Sequence, residues 1–329
     1  MDLTESTIGR WSGRRVLVTG AAGLLGRAVT EVVLQRGGSV LGLDIAWTDA
    51  NRIDAPGVVE IAGDIRDRDL LDRLHRDERP DTLIHLAAQT LVGPAVEDPI
   101  ETFSTNVEGS WTVLEACRAA GTVERIVVAS SDKAYGDAGG RPYRETTPLR
   151  PAHPYDASKA MTDLLGRTYA QTYGLPIAIS RCANLYGGGD LNWSRIVPGT
   201  IRSVLEGEAP VIRSDGTFVR DYLYVRDAAT AMLVLAQAVG RRPAVRGEAY
   251  NFAAGQRLSA LEMAERILAV MGSALRPRIL AISRNEVPVQ RVDASRARHE
   301  LGWRAQVRLR TGLARTVDWY RTYFGAAAS

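Results

Sequence analysis

Cysteine is almost absent, with only Cys117 and Cys182 in 329 residues. They form no C-x-x-C pair, and the four histidines show no ligand spacing, so neither a disulfide framework nor a metal site is expected. Cys117 falls on a helical pattern and Cys182 at the end of an apolar strand, which predicts two buried thiols. No apolar run reaches about 18 residues and no hydrophobic signal core is present, which predicts a cytoplasmic protein without a membrane span. Charge of one sign is lacking too. The 41 basic and 38 acidic residues leave a net +3, and the basic ones are scattered. That pattern argues against a nucleic-acid partner. Repeats and low-complexity tracts do not occur.

What is present is an alternation. Short apolar runs predict strands at 14–19, 39–44, 58–62, 82–86, 125–130 and 177–181. Helical patterns at 24–35, 67–78, 101–120 and 156–173 separate them, with more helix near 226–239 and 259–271. Strand and helix in turn predict an α/β protein with a doubly wound parallel sheet. The rhythm breaks after Asn184, at Gly187-Gly188-Gly189 and Pro198. This predicts a Rossmann domain over 1–184 and a smaller α/β substrate-binding domain over 185–329, with segments near 224–253 returning to the first. The first dozen residues and the tail from Gly325 are expected to fray.

Gly20-Ala21-Ala22-Gly23-Leu24-Leu25-Gly26 follows a strand and opens a helix. Glycines at these places allow a tight turn, close approach of the backbone to a pyrophosphate, and close helix–strand packing. Phosphates then meet the helix's free N–H groups. Asp44 ends the second strand, about 20 residues on, where a carboxylate holds both ribose hydroxyls and repels a 2′-phosphate. The cofactor expected is therefore NAD rather than NADP. Asp64-Ile65 would flank the adenine, the alternative for Asp64 being a loop-end cap. Leu86-Ala87-Ala88-Gln89 would line the cofactor.

Tyr155 and Lys159 stand at i and i+4 on one predicted helix face. A neighbouring ammonium and a nicotinamide cation would both favour the phenolate, making Tyr155 a general base toward a hydroxyl. Ser130-Ser131-Asp132-Lys133 lies about 25 residues upstream, at a strand end, and adds a hydroxyl, a carboxylate and an amine.

With these pieces the chain resembles the extended short-chain dehydrogenase/reductases, in the nucleotide-sugar epimerase/dehydratase group. The likeness also draws on Asn106-Val107-Glu108-Gly109, Arg181 to Gly187, Arg220 to Val225, Asp293-Ala294-Ser295 and Leu301-Gly302-Trp303. The resemblance implies an enzyme in which Tyr155 takes the proton from a sugar C4 hydroxyl, NAD takes the hydride, and Lys159 holds the nicotinamide ribose. It adds Asn106 and Ser130 to the cofactor contacts, with Ser131 on the C4 oxygen. Its Asp-Lys pair is closest to that of CDP-glucose 4,6-dehydratase. Asp132 would be the acid that protonates the C6 hydroxyl, and Lys133 the base at C5. If Asp132-Lys133 were only a solvated pair, the same site would run a 4-epimerase. For the nucleotide-diphosphate sugar the resemblance implies Asn184 and Arg220, with Arg195, Val197, Arg213 and Arg284 as further contacts. It also implies a homodimer through the helices at 101–120 and 156–173. Tyr224 and Trp303 are expected to pack rather than bind. A dinucleotide sensor without activity remains as an alternative from another class, but it would need none of Ser131, Tyr155 and Lys159.

Overall fold

All six predicted strands form in the computed structural model, which describes residues 9–48, 51–282 and 287–327. They are β1 (Arg15–Thr19), β2 (Ser39–Asp44), β3 (Val58–Ala62), β4 (Thr82–His85), β5 (Arg125–Ala129) and β6 (Ile177–Cys182). Six further strands follow among the described residues: β7 (Asn184–Tyr186), β8 (Val211–Ile212), β9 (Val219–Tyr224), β10 (Ala249–Phe252), β11 (Arg257–Ser259) and β12 (Arg278–Ile279). The main sheet runs β3-β2-β1-β4-β5-β6-β10, with every neighbouring pair parallel.

Side chains alternate across a strand, so β1 feeds two cores. Val16 and Val18 pack on one side with Val29, Val33 and Leu233, from helices Leu24–Gln35 and Val225–Arg241. Leu17 packs on the other with Leu71 and Leu114, from helices Arg68–Glu78 and Gly109–Ala120. Helices therefore cover both faces, as a parallel sheet of apolar strands requires. The chain order along the sheet reverses between β1 and β4, and ligands bind at such a switch point, beyond the carboxyl ends of the strands.

The helix Val225–Arg241 and the strand β10 both join this sheet, although they follow the break at Asn184. A second body of structure holds β11-β9-β7, β12-β8 and helices Ile196–Leu205, Ala260–Met271 and Leu309–Ala327. Its core includes Tyr186, Ile201, Met263, Val317 and Tyr320.

Three local expectations change. The helix predicted at 101–120 is three pieces: Pro99–Phe103, a π-helical turn Ser104–Glu108, and Gly109–Ala120. Gly325 lies inside the last helix rather than in a frayed tail. Trp11 is 3% exposed and donates its backbone N–H to Arg36, so the chain is already fastened at residue 11. The rest of the expected N-terminal fraying falls on residues 1–8, outside the described residues. Among the described residues no helix is long and apolar enough to cross a membrane.

Candidate active site

A cavity of about 1870 Å³ opens beyond the carboxyl ends of β1, β2, β4 and β5 and extends to β8 and Arg213. Its cofactor end begins at the glycine turn. Gly20 has φ +73°, and a Cβ there would lie 2.7 Å from the Ala87 nitrogen. A Cβ on Gly26 would lie 2.1 Å from the Gly20 oxygen, so helix and turn pack only without one. The helix Leu24–Gln35 starts at Gly23 with no side-chain cap and no acidic residue in its first turn. That turn lines the cavity, and an anion is the partner its open N–H groups suit.

Asp44 ends β2 with both carboxylate oxygens fixed. Oδ2 accepts from Ala22 N at 2.9 Å, and Oδ1 from Ile45 N at 2.8 Å. Asp64 and Ile65 line the same end. Asp64 also caps its own loop, accepting from Arg66 N at 2.8 Å and from the Arg66 guanidinium at 2.6 Å. That guanidinium bond holds the Asp64 carboxyl below its ordinary range. Leu86, Ala87, Ala88, Gln89 and Ser130 complete the wall. These residues fit a dinucleotide, with phosphates at the helix start and the ribose at Asp44.

Asn106 stands apart from that wall. It is buried away from the cavity. Its Oδ1 accepts from Gln89 N at 2.7 Å, and its Nδ2 donates to Gln89 O at 3.0 Å and Ser158 Oγ at 2.8 Å. The expected cofactor contact is thus a pin that fixes Gln89 and the Tyr155 helix. The π-helical turn carries Asn106 inward for this task.

Tyr155 and Lys159 both line the cavity from helix Pro154–Tyr173, and both are nearly buried. Burial pulls the Lys159 amine down to about 8, opposed by the Asp163 charge. Burial also pushes the Tyr155 phenol up to about 12. The influences that draw it down are the Arg195 charge and a hydrogen bond with Ser131, so the expected help from Lys159 is not the leading effect in this geometry. Ser130 donates its hydroxyl to Lys159 O at 3.1 Å and ties the end of β5 to the helix.

Ser131 caps a short 3₁₀ turn, Asp132–Tyr135, by accepting from Lys133 N at 3.2 Å. Asp132 is 2% exposed, and its Oδ1 receives only a long bond of 3.3 Å from Ser131 Oγ. Its Oδ2 is buried with no hydrogen-bond partner. Burial pushes this carboxyl up to about 6, against the charges of Lys133 and Arg220. Lys133 is half-buried and lines the same wall. Tyr135 anchors the far end of the turn, donating to Asn251 Oδ1 at 2.7 Å and accepting from Arg181 at 2.8 Å.

At the other end stand Asn184, Arg195, Val197, Arg213 and Arg220. Asn184 Nδ2 is buried without a partner. Arg195 pairs with Asp190 at 3.1 Å. Arg220 donates to the Val287 carbonyl at 2.8 Å, and Arg213 is exposed at the rim. Arg284 lies outside the described residues. Trp303 packs as expected, 1% exposed, and Tyr224 is half-buried against Tyr186. Cys117 is buried, whereas Cys182 is only partly buried because β6 ends at the cavity wall.

Among the cavity residues that escaped the sequence reading are Asp156 and Arg66. Asp156 is 5% exposed and lines the wall beside Lys133. Its place directly after Tyr155 was the available signal. Arg66 had none, because its role arises from folding back onto Asp64.

Fold and site together define an extended short-chain dehydrogenase/reductase. A family model described as NAD dependent epimerase/dehydratase matches residues 16–253. The chain belongs to that family. It is 32% identical to dTDP-glucose 4,6-dehydratase of Neisseria meningitidis serogroup B, across 93% of each chain. It is also 32% identical to UDP-glucose 4-epimerase of Mycolicibacterium smegmatis, across 93% of this chain and 98% of that one. Among solved structures, DesIV, a dTDP-glucose 4,6-dehydratase from Streptomyces venezuelae with NAD and TYD bound, superposes with a TM-score of 0.86. That pair shares 32% identity over 95% of this chain and 98% of the other.

Proposed function

We propose that the protein is an NAD-dependent nucleotide-sugar 4,6-dehydratase. The observation that carries this reading is the Asp132 carboxyl, buried in the wall that also holds Ser131, Lys133 and Tyr155, with one oxygen unpartnered and its acidity weakened. A carboxyl kept that way can donate a proton, which an epimerase does not require of it.

When bound, NAD supplies the redox chemistry, taking a hydride from the sugar C4 and returning one to C6. The chain does the rest. Tyr155 removes the proton from the C4 hydroxyl, and Ser131 hydrogen-bonds the resulting ketone oxygen. The ketone acidifies the C5 proton, and Lys133 takes it, giving it back to C5 when the hydride returns to C6. Asp132 gives its proton to the C6 hydroxyl, the C6–O bond breaks, and water leaves. Lys159 fixes the nicotinamide ribose. Asn184, Arg195 and Arg220, with Arg213 at the rim, supply amide and guanidinium donors for the diphosphate. Residues 185–224 and 254–329 then act as the substrate-capturing part.

A 4-epimerase is the second reading, favoured by the Mycolicibacterium relative. Incubation with CDP-, UDP-, dTDP- and GDP-hexoses decides by mass. A product lighter by one water supports dehydration; an isomer of unchanged mass supports epimerisation and removes the first reading.

A homodimer belongs to the same proposal. Ile100, Trp111, Met161 and Leu164 are exposed on helices that pack on one another, and a second copy would cover them. Sedimentation showing only a monomer would remove it.

A further inference from the structure

We infer that Asn251 is a positioning residue of the elimination site, holding the turn that carries Asp132 and Lys133 through the Tyr135 hydroxyl. The inference rests on the dehydratase reading and adds a residue to it. Asn251 stands on β10, fully buried, and does not line the cavity, so it can act only through its neighbours. Both ends of its side chain are engaged. Oδ1 accepts from the Tyr135 hydroxyl at 2.7 Å, and Nδ2 donates to Tyr143 O at 3.0 Å and Asp293 O at 3.2 Å. Its backbone N–H donates to Glu145 Oε1 at 2.8 Å.

These partners call for an amide. The Tyr135 oxygen already accepts from Arg181 Nη1 at 2.8 Å, so its own proton goes to Oδ1, while the two carbonyls take only a donor. A carboxylate at residue 251 would set an anion against both carbonyl oxygens. An apolar side chain would leave the buried Tyr135 proton without this acceptor. Tyr135 closes the turn Asp132–Tyr135, whose other end is capped by Ser131 just past β5. The Tyr143 ring stacks on that of Tyr135, with centroids 4.8 Å apart, and its hydroxyl donates to Gly136 O directly after the turn. One amide therefore holds both tyrosines, and with them the exit of the turn. Tyr155 and Lys159 stand on helix Pro154–Tyr173 and Asp44 on β2, and no side-chain bond of Asn251 reaches either element. The acid and base of elimination hang on this contact, and the residues of C4 oxidation do not.

The test is Asn251→Ala beside Tyr135→Phe, which keeps the stacked ring and removes only the hydroxyl. Retained NAD and the urea midpoint check each fold, and Tyr135→Phe carries the test by itself if Asn251→Ala does not fold. Rapid mixing with nucleotide sugar follows C4 oxidation by reduced cofactor at 340 nm, and loss of water by product mass. In Asn251→Ala elimination slows by about 10²-fold, the scale set by moving reacting groups about 1 Å, while reduced cofactor forms at the wild-type rate and persists. Tyr135→Phe behaves alike, and the double variant is no slower than Asn251→Ala alone, because both act through one contact. Oxidation and elimination falling together overturns the proposal and leaves Asn251 structural, as do single effects that add in the double variant. If wild type only isomerises its substrate, the dehydratase reading fails and this inference falls with it. If wild type releases water and Asn251→Ala keeps the wild-type balance between the two steps, this inference alone fails.

Discussion

Arg181 grips Asp163 with two parallel bonds, Nε to Oδ2 at 2.7 Å and Nη2 to Oδ1 at 2.9 Å, and neither side chain reaches solvent. The pair joins β6 to the middle of the Tyr155 helix. Arg181 also donates to the Tyr135 hydroxyl, so one guanidinium braces both the helix of Tyr155 and the turn of Asp132. Replacing Asp163 by Ala leaves a buried cation unpaired, and should cost about 3–5 kcal/mol of stability. Urea unfolding of the variant reads that loss. A change below about 1 kcal/mol would show that the pair is not a brace.

Asp132→Asn separates the two halves of the reaction. Tyr155 and Ser131 remain, so oxidation at C4 proceeds, while elimination slows by about 10²–10⁴-fold for want of an acid. Absorbance at 340 nm should rise and persist after nucleotide sugar is added, because the reduced cofactor is not used up. Normal release of water from the substrate in this variant contradicts the role given to Asp132.

Asp44 should govern the choice of cofactor. Its carboxylate is already oriented by Ala22 N and Ile45 N, so its outward lone pairs are preorganised. Asp44→Ala should weaken NAD binding by about 1.5–3 kcal/mol, the worth of hydrogen bonds to a charged group. It should also narrow the gap between NAD and NADP, since like charge no longer faces a 2′-phosphate. Fluorescence titration with both cofactors measures each change.

His85 should set an acid limit on stability. It lies between Thr19 Oγ1 at 2.7 Å and Ser110 Oγ at 2.9 Å, fully enclosed, and burial drives it down to about 3. The unfolded chain binds a proton near the ordinary 6.5. Between these values the unfolded state holds the extra proton, so stability is present above pH 6.5 and drains away toward pH 3, by about 5 kcal/mol. Asp132 and Asp221, both raised to about 6, act oppositely: their contribution is present below their ordinary 3.8 and lost as pH rises through 6. The slope of unfolding free energy against pH in His85→Gln, subtracted from wild type, isolates the histidine. Parallel curves would refute the assignment.

Much of the frame could be read from order along the chain. Val16-Leu17-Val18 is buried on both faces because a parallel sheet asks for an unbroken apolar run, and such runs are visible in sequence. The Leu24–Gln35 helix took its predicted limits because Gly23 opens it and Gly37-Gly38 follows it closely. The helix at 101–120 was misread because periodicity does not register an inward pull on one residue, here Asn106 reaching Gln89 and Ser158. At the site, Tyr155, Lys159, Ser131, Asp132 and Lys133 share a wall as their spacing suggested. Asp156 went unnoticed because its chemistry depends on which neighbours a fold brings near, and spacing carries no charge map. The same holds for Arg195, whose effect on Tyr155 crosses from one body of structure to the other.

The seventh strand of the sheet has a consequence during synthesis. β6 ends at residue 182, yet its outer neighbour begins at Ala249 of 329. Until a ribosome has released that later stretch, the row Ile177 to Cys182 has an open flank of unpaired amides and apolar side chains. Such a flank invites pairing with another nascent copy. Fragments cut near residue 184 should therefore precipitate rather than stand alone as a miniature nucleotide binder, and the growing enzyme must shelter that flank until its tail arrives.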